Sequence, residues 1–156
     1  MDEYFQMLFK LKGDGCPKIY YNPNVIEQLK GKTIVDPSFG SSGKANGYFE
    51  ADFHKRFIEH LKSNVSEFVL IAHRHSKTKN PLEELIKRAF NPDCYSVSTI
   101  EVLSDVLCSA RNRYLLHSGT ASLSAALHLQ SNILNYLKPS AYTSYKYSIN
   151  NYIDLK

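Results

Sequence analysis

RYLLHSGTASLSAALH, residues 113–128, decides how this chain is read. It opens on the apolar run Tyr114-Leu115-Leu116, turns through Ser118-Gly119-Thr120, and continues as an Ala/Leu run of helical character. That is strand, loop and helix in sixteen residues. The loop has only hydroxyls and a glycine to offer, directly behind His117. Free N–H groups and the helix dipole favour a negative charge at a helix start. Two uses therefore fit: Ser118 caps the helix, or the loop receives an anion such as a diphosphate.

The same unit recurs along the chain. Lys32–Asp36 reads as a buried strand running into the glycine- and serine-rich loop Pro37–Lys44. Residues 51–62 place Phe53, Phe57, Ile58 and Leu61 at amphipathic-helix spacing. Glu67–Ala72 is a nearly all-apolar strand, followed by a polar loop from His73. Asn80-Pro81 starts a helix to about Phe90, with proline in its favoured first turn. Cys94–Val97 is a short strand. Ser98 or Thr99 then caps a helix to about Ala110, with Glu101 as capping-box partner of Ser98. The helix after Thr120 runs to about Leu129, and Ile133–Tyr136 is the last strand. Upstream, residues 2–12 predict a helix with Tyr4, Phe5, Leu8, Phe9 and Leu11 largely on one face. Lys18–Tyr21 predicts a short strand and 24–30 a short helix, and the tail holds one more helix or none.

Alternating apolar strands and amphipathic helices define an α/β protein: a parallel sheet of about five strands with helices on both faces. Right-handed crossovers wind it into a Rossmann-like layer structure. One domain spans 1–156, with a helix and linker over 1–30, the α/β core over 31–137 and a tail over 138–156. Ligands of such sheets sit outside the carboxyl ends of the strands. The loops at 36–44, 73–79 and 117–120 all leave those ends and line one edge.

Composition sets the bounds. At 43% hydrophobic residues the chain can bury a proper core. No apolar stretch reaches the about 18 residues of a membrane span, and MDEYFQMLFKLKGDG is not a signal peptide. Cys16, Cys94 and Cys108 are odd in number, with no CxxC, so free thiols in a reducing compartment are expected and no zinc site. A net charge of +4 favours anionic ligands or an anionic membrane surface, without the concentrated charge of a nucleic-acid binder. Eleven tyrosines, many in the tail, read as compositional bias or as an aromatic binding surface.

The loop DPSFGSSGK is neither a Walker motif nor GxGxxG, and reads alone as a surface loop or a phosphate cradle. Arg74, at a strand end, could steer an anion. His73 and His75 lack a third ligand at metal spacing. His54, His60 and His128 lie in predicted helices and read as surface or satisfied residues, whereas His117 ends a buried strand on the ligand edge.

With these elements in place, most of the chain resembles the C-terminal half of the lipopolysaccharide heptosyltransferase-like glycosyltransferases, which have the GT-B fold. In that family a strand ends in a small-residue loop carrying Ser/Thr and a lysine, and Ser38–Lys44 resembles it. ADFHKRFIEHLK and EFVLIAH match the following helix and strand, and TIEVLSDVLCSAR the later hydrophobic helix. LLHSGTASLSAAL resembles the signature Asp-Ser-Gly-x-x-His/Ser-x-x-Ala-Ala, with His117 in place of the aspartate. DEYFQMLFKLKGDGCPKIYY resembles the segment that enters the second domain.

The resemblance implies a donor domain for a nucleotide-diphospho-sugar in bacterial surface-polysaccharide or lipopolysaccharide synthesis. It implies that Ser38, Ser41, Ser42, Lys44, Arg74, His117, Ser118, Gly119 and Thr120 line the donor site. No metal and no cofactor is expected, the sugar nucleotide being a substrate, and no nucleic-acid partner. The implied location is the cytoplasm or the inner face of the membrane. The family's acceptor site and usual catalytic base belong to an N-terminal domain outside this stretch. The expected partner is that domain or a second copy of the chain, with turnover only once completed. A domain taken from such an enzyme is expected to expose an apolar patch on the carboxyl edge and first helix, including some of Tyr4, Phe5 and Leu8, or to cover it in a dimer. The alternative is a non-catalytic Rossmann-like module that binds a nucleotide or a protein, a degenerate or truncated transferase.

Overall fold

In the computed structural model the described residues are 18–39, 47–74, 80–136 and 146–155. The predicted helix at 2–12, with Tyr4, Phe5 and Leu8, lies outside them, as do Ser41, Ser42 and Lys44.

Among the described residues six strands form: β1 (Thr33–Asp36), β2 (Val69–His73), β3 (Asp93–Val97), β4 (Asn112–Leu116), β5 (Asn132–Asn135) and β6 (Asn151–Asp154). The central four, β1, β2, β4 and β5, are largely buried, and the two edge strands, β3 and β6, partly exposed. All neighbours pair in parallel, in the order β3-β2-β1-β4-β5-β6. The helices are α1 (Ala51–Asn64), α2 (Pro81–Phe90), α3 (Ile100–Ser109) and α4 (Gly119–Ala126).

Side chains alternate across the pleat, so β1, β2, β4 and β5 each feed two cores. Ile34, Ile71, Leu115 and Ile133 pack with Val106 and Leu107 of α3 and Ala121 of α4. Val35, Leu70, Leu116 and Leu134 pack with Phe53, Phe57 and Leu61 of α1 and Leu82 and Ile86 of α2. Phe53 is the hub of the second core, its ring 5.0 Å from Tyr48, 5.7 Å from Phe57 and 5.4 Å from Tyr136.

The helix ends follow side-chain chemistry. Asn80 caps α2, its carbonyl oxygen accepting from the Leu82 N–H at 3.0 Å, with Pro81 at the first position. Thr99, not Ser98, caps α3, accepting from the Val102 N–H at 3.3 Å. The last helix stops at Ala126, short of Leu129, and His128 leaves it at a φ of 58°.

Arg113 sits in the core at the start of β4. Its guanidinium donates to the carbonyls of Leu107 (2.6 Å), Ala110 (2.6 Å) and Gln130 (3.2 Å). It thereby supplies donors to the C-terminal end of α3, where carbonyls lack intrahelical partners.

Two expectations are corrected. Lys18–Tyr21 is not a strand. The segment is strapped across α3 and α4, and its polar groups find partners there instead of in the sheet. The Tyr21 hydroxyl and the Asn24 N–H both donate to Asp105 at 2.8 Å, the Ile26 N–H donates to the Ser109 hydroxyl at 2.9 Å, and the Ile19 N–H donates to the Ala126 carbonyl at 2.9 Å. The tail adds a strand rather than a helix or nothing. Asn151–Asp154 pairs with β5, backed by a bond from the Asn151 amide to the Asn132 side chain at 3.0 Å.

Candidate functional site at the carboxyl edge of the sheet

From β1 the chain winds outward through β2 to β3, and from β4 the other way through β5 to β6. The crevice between the carboxyl ends of β1 and β4 is therefore the topological switch point, where open α/β sheets bind ligands. Asp36 pairs with Leu115 in register, so Asp36 and the residues from His117 to Thr120 flank this crevice.

Several predicted site residues meet here. The Ser38 hydroxyl, from the loop after β1, lies 3.4 Å from the Thr120 hydroxyl in the first turn of α4. His117 leaves β4 with its N–H donating to the Tyr48 hydroxyl at 3.3 Å. Ser118 stands at the N-cap with extended backbone, yet its hydroxyl makes no capping bond. Its Oγ is buried, without a hydrogen-bond partner among the described residues. Gly119 is exposed, and a Cβ there would meet nothing within 4 Å. The first N–H groups of α4 have no intrahelical acceptor, as at any helix start. Arg74 follows β2 away from the crevice, its N–H donating to the Val97 carbonyl of β3 at 3.0 Å. Ser41, Ser42 and Lys44 fall outside the described residues.

The structure adds a pair that the sequence reading passed over. Asp36 ends β1 with 1% of its surface exposed. Its Oδ2 lies 3.0 Å from Nε2 of His73, the last residue of β2. Its Oδ1 accepts the Ser38 N–H at 2.9 Å. A chain of contacts thus runs from His73 through Asp36 and Ser38 to Thr120. Asn80 pins the loop from the other side, its amide donating to the Pro37 carbonyl at 2.8 Å.

Burial alone would push the Asp36 carboxyl up, but the hydrogen bond and charge of His73, with the Ser38 bonds, outweigh it and hold the pKa below its usual value. His73 is raised by its hydrogen bond to Asp36, against the opposing effect of burial, with the charges of Asp36 and Glu83 adding to the rise. The pair is a buried carboxylate beneath an imidazole whose side chain is 27% exposed. Two consecutive apolar runs, TIVD and VLIAH, each ending on a titratable residue, were the available signal.

Further along the edge, Asn135 ends β5 on the face it shares with Ile133. It is 1% exposed, and neither amide atom has a partner among the described residues. Two large apolar side chains, Phe49 and Ile100, are exposed where α1 and α3 begin, on this same side of the sheet. His54 is satisfied, by the Tyr48 carbonyl at 2.8 Å, but the buried Nε2 of His60 has no hydrogen-bond partner among the described residues. Among the described residues, no group of three or more His, Cys, Asp or Glu side chains could hold a metal ion, and no helix is long and apolar enough to cross a membrane.

A parallel sheet of this strand order, helices on both faces and polar groups gathered at its switch point, defines a Rossmann-like α/β domain. Among solved structures it is similar to heptosyltransferase WaaC of E. coli, solved with ADP, at a TM-score of 0.56 and 14% identity. That alignment covers 84% of this chain and 40% of WaaC, so the chain spans less than half of that enzyme. The dodecameric iron-containing heptosyltransferase TibC of E. coli, in complex with ADP-D-β-D-heptose, aligns at a TM-score of 0.46 and 13% identity, over 86% of this chain and 33% of its own. No protein-family model and no curated protein sequence matches the chain. The likeness to WaaC bears out, at the level of fold, the half-domain resemblance read from the sequence.

Proposed function

We propose that this chain is the donor-binding domain of a bacterial glycosyltransferase of surface-polysaccharide or lipopolysaccharide synthesis, holding a nucleotide-diphospho-sugar at the carboxyl edge of its sheet. The observation that carries the reading is the Ser118 hydroxyl, buried and unpartnered among the described residues at the start of α4, beside the open position at Gly119. An unpaired buried hydroxyl costs about 1–3 kcal/mol, and a phosphate oxygen would satisfy it. The same oxygen would take the free N–H groups of the first turn and the roughly half positive charge of the helix terminus. Thr120 and Ser38 supply further hydroxyls, and His117 borders the sugar. Lys44 supplies a point charge from the loop after β1. Together these groups stabilise the diphosphate as leaving-group charge develops. Turnover requires an acceptor domain with its own base, and the cytoplasm or inner membrane face suits such an assembly. That WaaC was solved with ADP supports this reading.

A second reading is a non-catalytic nucleotide-binding module. It is favoured by His117, which stands where the resembling family has an aspartate.

A thermal-shift panel of sugar nucleotides tests the reading. A ligand at 100 times its Kd adds about 2.7 kcal/mol of stability. Lys44→Ala should weaken binding of the stabilising ligand, more so at low salt, where its charge is least screened. If no sugar nucleotide stabilises the chain, the donor-domain reading is wrong.

A further inference from the structure

The pair at the ends of β1 and β2 is unexplained by packing alone. A carboxylate buried as fully as Asp36 is costly unless paired and hydrogen-bonded. Here it is held by a histidine that remains partly open to solvent at the ligand edge. Asp36 takes Nε2 of that ring, which leaves Nδ1 as the second ring nitrogen, and no described residue bonds it. The arrangement is that of a buried carboxylate fixing one nitrogen of a partly exposed imidazole.

We propose that His73 is the pH-gated phosphate contact of this edge, its Nδ1–H donating to an anionic oxygen of the bound nucleotide diphosphate while Asp36 fixes the ring from below. The inference rests on the donor-site reading and adds to it a group that the sequence did not single out. When the ring is protonated, both nitrogens donate, one to Asp36 and one to the ligand. When it is neutral, Nε2–H still serves Asp36, but Nδ1 becomes an acceptor and faces the phosphate lone pair to lone pair. Among the described residues, Asp36 from β1 and Glu83 from α2 are the charged groups acting on the ring, and both favour the protonated form. Val97, opposite His73 in β3, carries no charge. Glu83 is itself held by Lys87 at 2.6 Å. Asp36 thus has the dominant control, and it reaches the helix side of the crevice through Ser38 and Thr120.

The test is isothermal titration with ADP-glucose and UDP-glucose between about pH 5.5 and 8.5, the range of histidine switches. Each phosphate of these probes carries one ester and one anhydride link, and neither titrates in that range, so any pH dependence belongs to the protein. Binding by the parent should weaken about tenfold as His73 loses its proton, the size of one charge-assisted hydrogen bond. His73→Gln should bind about tenfold more weakly at the acid end and show a flat profile. Asp36→Asn should move the fall in affinity to lower pH, an effect that loss of a merely structural bond would not produce. A parent-like pH profile in His73→Gln overturns the inference and leaves the donor reading standing. If neither sugar nucleotide binds at any pH, the donor reading fails, and inorganic pyrophosphate decides the inference alone. A shift of the His73 ring resonance in NMR on adding pyrophosphate at the acid end upholds His73 as an anion contact, and no shift overturns that too.

Discussion

Asp36 and His73, 37 residues apart in the chain, meet at 3.0 Å across the ends of neighbouring strands. A parallel sheet makes this pairing easy. Ile34 and Val69 are partners in register, which sets His73 two residues beyond Asp36 on the same face. The bond ties the ligand edge to the stability of the sheet.

That tie gives the first prediction, a pH optimum for stability. Asp36 has a folded pKa below its ordinary 3.8, so its contribution is present above that value and lost as pH falls through the folded one. His73 has a folded pKa above its ordinary 6.5, so its contribution is present below that value and lost as pH rises through the folded one. The pair supports the fold fully between those two ordinary values. Urea unfolding across pH should show stability falling on both sides of this window. In His73→Gln the loss on the alkaline side should be smaller. An unchanged alkaline limb in that variant counts against the pairing.

Gly119 separates fold from binding. With nothing within 4 Å of a Cβ there, Gly119→Val should change stability by no more than about 0.5 kcal/mol. The added methyls would stand over the N–H groups of α4 and should abolish sugar-nucleotide binding. Thermal unfolding and isothermal titration on one preparation read both quantities. Parent-like affinity in this variant would remove the α4 terminus from the site.

Arg113 is a structural cation. Replacing it with methionine fills similar volume but strands the carbonyls of Leu107, Ala110 and Gln130. Hydrogen bonds to charged groups contribute about 1.5–3 kcal/mol each, so Arg113→Met should cost at least about 3 kcal/mol. The midpoint of urea unfolding should fall with its slope unchanged. An unshifted midpoint would mean these carbonyls find other donors.

Phe53 tests the second core. It is fully buried among Tyr48, Phe57 and Tyr136. Phe53→Ala should cost about 3–5 kcal/mol. Calorimetry should show the lost Tm, and a near-parent Tm would mean that the aromatic cluster collapses to fill the gap.

The parts of this fold that were legible in the sequence are those set by local pattern. The Ile34-Val35, Val69–Ala72 and Tyr114–Leu116 runs are apolar because both sheet faces are covered, and 51–62 carries the helical period. β6 was not legible. Asn-Tyr-Ile-Asp is short and half polar, as suits an edge strand, and its pairing is made by backbone groups. Lys18–Tyr21 has strand-like residues, but the Ala126 carbonyl of α4 takes its Ile19 N–H and Asp105 of α3 its Tyr21 hydroxyl, a long-range competition that local propensity does not register. At the site, the Ser118–Thr120 loop was legible because its chemistry is contiguous. The Asp36–His73 pair was not, since it exists only once β1 and β2 are known to be neighbours.

The sheet order has a consequence for synthesis on the ribosome. β1 lies at the centre of the sheet, and its second partner, β4, begins 79 residues later with Asn112 beside Thr33. While the intervening helices and strands emerge, β1 can pair with β2 on one side only. Its other side, Ile34 and Val35 included, stays an open apolar edge, the kind that templates association between chains. Non-local parallel pairing of this sort is slow to form. The interval before β4 clears the exit tunnel is therefore the one in which the nascent chain is most open to association.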